Sequence, residues 1–155
     1  MATQQPARLE AMVLVSATPY FPKEARDLMA QITLEGKLEA DWQFLRRRHK
    51  HGDEQIRALF AQGRAMKDSF DDVNFTPPLL STITARTLIV HGDRDFYPVH
   101  LATEMYQAIP CSYLSVIPNA GHGPIFGAPT RHFLEMALPF LKGEWEHAES
   151  PPQIP

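Results

Sequence analysis

The sequence is poor in cysteine, in long apolar runs and in charge of one sign, and each shortage removes a class of function. A single cysteine, Cys111, in 155 residues excludes an internal disulfide framework and any multi-cysteine zinc site. Following Pro110 at the entry to a strand, it reads as an inert buried thiol. No apolar stretch approaches the roughly 20 residues that cross a bilayer. The N-terminus lacks a charged segment followed by a secretory apolar core, since Met12–Val15 is too short for one. A soluble cytoplasmic protein without a membrane partner is the expectation. Fifteen Lys and Arg stand against eighteen Asp and Glu, which gives no broad attraction to nucleic acid or anionic lipid. The one basic run, Arg46-Arg-Arg-His-Lys-His51, is followed by Asp53 and Glu54 and carries no interleaved aromatics. It reads as a solvated helix end, favourably placed near a C-terminus, and no nucleic-acid partner is expected. Nothing in the chain implies a cofactor.

What is present is a globular composition, 44% hydrophobic, in a length suited to one domain or a piece of a larger one. Three short runs read as buried strands: Ala11-Met-Val-Leu-Val15, Thr87-Leu-Ile-Val-His91 and Tyr113–Ile117. Residues 1–20 hold the first strand and its loop. Residues 21–80 are helical in pattern, with Leu38, Trp42 and Leu45, then Ile56, Leu59, Phe60 and Gly63, at helical spacing. That excursion is far longer than an ordinary crossover and suggests a lid or cap, with Trp42, Phe44 and Phe60 in its core. Residues 81–142 return to strand and helix, with Leu101, Met105 and Ile109 on one helical face. A last helix spans Thr130–Leu141, where Pro139 kinks or ends it. Residues 143–155, charged and proline-rich, read as a disordered tail. Alternation of this kind implies an α/β fold, three parallel strands with helices on both faces.

The chemistry gathers at two strand ends. Gly92 breaks the second strand and Asp95 follows, where open α/β sheets collect their ligands. After the third strand comes Asn119-Ala-Gly-His-Gly123. On neighbouring parallel strands, Asp95 and His122 share a rim. The carboxylate can then fix one ring nitrogen and leave the other as a general base. Asp93 competes for the acid role but, directly after Gly92, is better placed to brace the turn. His91, Asp93 and Asp95 alternate like metal ligands, yet the Gly92 turn breaks that alternation, so no metal is expected. Ser16, at the end of the first strand, shares the rim without any evident activation of its hydroxyl.

Gly92-x-x-Asp95 after an apolar strand, Tyr97-Pro-Val99 beyond it, and Gly121-His122-Gly123 after the next strand resemble the C-terminal half of the α/β-hydrolase superfamily. The resemblance covers most of residues 1–141. Gln5–Leu9 resembles the end of the helix that follows the nucleophile in that family, and residues 21–80 resemble its cap insertion. It implies Asp95 as the catalytic acid and His122 as the general base, in the order nucleophile, acid, histidine. The sequence contains no G-x-S-x-G and no HGGG-type segment, the elements that supply nucleophile and oxyanion hole in such enzymes. The expectation is an incomplete, esterase-like serine hydrolase that contributes acid and histidine toward a small ester or related carbonyl substrate. The alternative is an inactive, interaction-driven module. Ala11–Val15 would then be a bare sheet edge that pairs with a second copy or with a complementing N-terminal half.

Overall fold

The structure is a computed structural model that describes residues 2–70 and 73–145. In chain order its main elements are β1 (Ala11–Val15), α1 (Lys23–Ala30), α2 (Glu39–Arg48), α3 (Gly52–Ala65), α4 (Pro77–Leu80), β2 (Arg86–Gly92), α5 (Val99–Ala108), β3 (Ser112–Ile117) and α6 (Thr130–Leu141). They fall into two compact units, Met1–Tyr20 with Asn74–Pro155, and Phe21–Val73. α4 therefore groups with the sheet and not with the helical stretch before it. Among the described residues no helix is long and apolar enough to cross a membrane.

In the first unit the strands form a parallel sheet of order β1-β2-β3, with Val15 beside Val90 and Gly92 beside Ile117. Successive residues of a strand face opposite sides, and here both sides are covered. Leu88 and Val90 turn toward α6, meeting Ala137 and Phe140 with Ala11, Val13 and Val15 around them. Ile89 turns the other way, onto Leu80, Ala102, Met105 and Ile109, flanked by Met12 and Leu14. Two covered faces explain why the strands read as unbroken apolar runs instead of alternating ones. β2 is buried from Thr87 onward, while every residue of β1 is half-buried, as an edge strand should be. α5 begins after Pro98 and ends at Ile109-Pro110, because proline cannot extend a helix. α6 runs through Pro139 to Leu141. The first residues after it are held to the sheet, since Trp145 packs edge-on against Tyr113 at 5.0 Å and Phe140 at 5.3 Å between ring centroids. The remainder of the tail read as disordered, 146–155, lies outside the described residues.

The second unit packs α1, α2 and α3 with Ala25 and Ile56 buried. Three of its arginines bond its own carbonyls and carboxylates. Arg26 donates to the Met66 carbonyl at 2.7 Å, and Arg64 to that of Ala30 at 2.7 Å. Arg46 grips Asp53 through two nitrogens at 2.7 and 2.8 Å and reaches Glu39 at 3.0 Å. These ion pairs are exposed and contribute little to stability, but they tie the first arginine of the basic run into the unit. Trp42 and Phe60 are half-buried, whereas Phe44 departs from the sequence expectation. It is 46% exposed and lies beneath the Arg48 guanidinium at 3.7 Å. Cys111 likewise is only partly buried.

The two sides of α6 separate clearly, with Phe140 at 0% and Leu138 at 50% exposure. Phe140→Ala is expected to cost about 3–5 kcal/mol by urea denaturation, and Leu138→Ala under about 1 kcal/mol. Equal losses would mean that α6 does not present this face to the sheet.

Candidate active site

Both strand-end loops of the sheet leave the same rim because β2 and β3 are adjacent and parallel. They are then laced together backbone to backbone. Asp93 N donates to Ile117 O at 3.1 Å and Arg94 N to Ala120 O at 2.9 Å. Ala120 N returns a bond to the Asp93 carboxylate at 3.1 Å. Asp93 thus braces the neighbouring loop as well as its own turn. Backbone N–H groups of Asn119 and Ala120 hold its pKa below the usual carboxylate range against the opposing effect of burial. A Cβ on Gly92 would fall 2.3 Å from the Ala120 carbonyl oxygen and 2.5 Å from that of Gly121. Only glycine lets the loops approach this closely.

The approach brings Asp95 against His122. Nδ1 of His122 lies 3.1 Å from one Asp95 carboxylate oxygen and 3.2 Å from the other. Asp95 has no exposed side-chain surface, while the His122 side chain is 48% exposed. The carboxylate also accepts from Tyr97 N at 3.0 Å and is hydrogen-bonded by the Ser16 side chain. Burial alone would raise the Asp95 pKa, but the bonds from Ser16, Tyr97 N and His122 outweigh it and hold the group below the ordinary value. An ionised carboxylate accepts only, so Nδ1 carries the proton between them. Phe96 lies against the imidazole with centroids 4.4 Å apart, and Tyr97 meets it edge-on at 5.7 Å.

His91, Asp93 and Asp95 do not converge. The His91 ring is buried and Nε2 donates to Tyr97 O at 2.8 Å, bracing the loop from within. Among the described residues no group of three or more His, Cys, Asp or Glu is placed to hold a metal ion. Sequence reasoning missed Phe96, which has no periodic or motif signal, and missed what Ser16 does. Its hydroxyl engages Asp95 and accepts from Gly123 N at 3.0 Å, on the acid side of the pair.

By sequence, neither a protein-family model nor a curated protein matches the chain. By structure, several enzymes do. A variant of a meta-cleavage product hydrolase superposes with a TM-score of 0.66 at 18% identity, over 92% of this chain and 59% of that one. An α/β-hydrolase enzyme from a Medee basin deep-sea metagenome library gives 0.62 at 18%, over 99% and 62%. The enol-lactonase from Burkholderia xenovorans LB400 gives 0.61 at 16%, over 91% and 59%. The chain has a partial α/β-hydrolase fold. It spans about three-fifths of the length of these α/β hydrolases, and at such identities the likeness is one of fold.

The two glycines of the facing loops should behave differently. An added Cβ at Gly121 would meet only Arg94 O, at 3.9 Å. Gly92→Ala is expected to cost about 1–3 kcal/mol in urea denaturation and to displace the His122 ring resonances in NMR spectra. Gly121→Ala should leave both near wild type. Indifference to alanine at 92 would refute the close approach.

Proposed function

We propose that this chain supplies the acid and the general base of a nucleophile–histidine–acid hydrolase acting on a small ester or related carbonyl compound, with the nucleophile contributed from outside these residues. The observation that carries the reading is the Asp95–His122 contact at a parallel-sheet rim, with the carboxylate sealed and the imidazole half-open. Asp95 would hold the Nδ1–H tautomer and stabilise the imidazolium formed when Nε2 takes the nucleophile's proton. Small carbonyl substrates accord with the names of fold neighbours, an enol-lactonase and a meta-cleavage product hydrolase. The helical unit Phe21–Val73 fits the part of a cap.

Nitrogen-15 NMR tests the base directly. The expected result, once the pH is raised until the ring is neutral, is a His122 proton held on Nδ1, changing to mixed tautomers in Asp95→Asn. A fluorophosphonate probe should label the chain below stoichiometry, and activated-ester turnover should stay at the buffer rate. Stoichiometric labelling at Ser16 would overturn the assignment of the nucleophile to another segment, and mixed tautomers in the unmodified chain would overturn the base.

A second reading rests on β1, whose Ala11–Val15 edge is apolar, half-buried and free of the proline or charge that commonly blunts edges. Two copies meeting there about a two-fold axis would join antiparallel into a continuous sheet. Light scattering is expected to show a dimer that Val13→Lys converts to monomer. A monomer for the unmodified chain would exclude self-pairing.

A further inference from the structure

Ser16 is held in a way that its place at the end of an edge strand does not require. It is buried at 5% exposure, and its backbone adopts φ +48°, a left-handed conformation that L side chains disfavour. Its N–H remains in the sheet, donating to Val90 O at 2.9 Å. Past that bond the left-handed turn swings the side chain across the rim, where the hydroxyl meets two groups from different loops. It accepts from Gly123 N at 3.0 Å. Its one proton is therefore available to the Asp95 carboxylate, which the same side chain hydrogen-bonds. Gly123 has φ +76° and directly follows His122. The hydroxyl thus touches the acid on one side and the peptide carrying the base on the other.

We infer that Ser16 is a positioning residue of the Asp95–His122 pair, its hydroxyl bridging the acid to the backbone of the histidine loop so that the carboxylate faces Nδ1 in one fixed orientation. The inference deepens the acid–base reading above and rests on it. It assigns no covalent chemistry to Ser16, whose oxygen is already engaged with a donor and an acceptor. A carboxylate with two free oxygens can rotate about its last torsion. The bonds from Tyr97 N and Ser16 restrict that rotation, leaving His122 the remaining direction of approach.

Glycine is the decisive substitution, because it removes the hydroxyl while relieving the left-handed backbone. Were Ser16 only a turn residue, Ser16→Gly would be neutral or stabilising and the site would not respond. The expected result is a variant that folds as stably as the unmodified chain or more so. In it the Asp95 carboxyl titrates at higher pH by carbon-13 NMR, the Gly123 amide resonance moves, and the His122 Nδ1 proton exchanges on the order of tenfold faster. A measurement on the unmodified chain guards against misfolding of the variant: the Ser16 hydroxyl proton should exchange slowly, and its replacement by deuterium should shift the Asp95 carboxyl resonance. Unchanged Asp95 and His122 signals in Ser16→Gly, with His122 locked on Nδ1 in the unmodified chain, would overturn the role of Ser16 alone. A fast-exchanging hydroxyl without that isotope shift would do the same. His122 unlocked in the unmodified chain would sink the acid–base reading and this inference with it.

Discussion

At Gly92 the backbone of one strand-end loop passes against the carbonyls of the next, closer than any side chain would allow. The rest of the rim follows from that approach. With no Cβ in the way, Asp93 and Arg94 hydrogen-bond across to Ile117 and Ala120, and the turn closed by Asp95 N on Gly92 O at 3.2 Å aims the acid back over the rim. The separation of Asp95 and His122 is thus set by main-chain bonds on both loops, and their own attraction only completes it. The main chain of both loops, and not the side-chain pair alone, therefore fixes the geometry of the rim.

Burial and charge oppose each other at Asp95. A carboxylate with no exposed surface is costly unless it is well bonded, yet its pKa lies below the ordinary value because donors surround it. The pair is asymmetric as a result. The carboxylate is sealed and ionised, while the imidazole projects a half-exposed ring with Phe96 along one face. Nδ1 faces the carboxylate, and the opposite edge of the ring is the part open to solvent. Inward, His91 supports the same loop from the core by donating to Tyr97 O. Tyr97 consequently links the apolar interior to the carboxylate through its own N–H.

Much of this was legible because local chemistry and global packing agree. The run Thr87–His91 ended by Gly92 could only be a buried strand followed by a tight turn, and Gly121-His122-Gly123 after a second run marked the facing loop. What stayed hidden needed contacts that no local pattern encodes. Ser16 reaches Gly123 across a sequence separation of 107, through a backbone angle that serine seldom adopts. Asp93 looked like a residue serving its own turn, and its carboxylate is bonded by backbone N–H groups of Asn119 and Ala120 on the other loop. Phe44 lies on a helix whose apolar positions leave its facing ambiguous. The Arg48 guanidinium over its ring substitutes for burial, so spacing overstated the core.

Ser16 also connects the site to the least supported part of the sheet. It extends from β1, the half-buried edge strand, and its N–H to Val90 O is the last rung joining that strand to β2. Edge strands open more readily than central ones because one side of their ladder is unpaired. Each opening of that final rung would release the hydroxyl from Asp95 and Gly123 together. A strand added along the outer edge of β1 would suppress those openings and hold the serine in its left-handed turn.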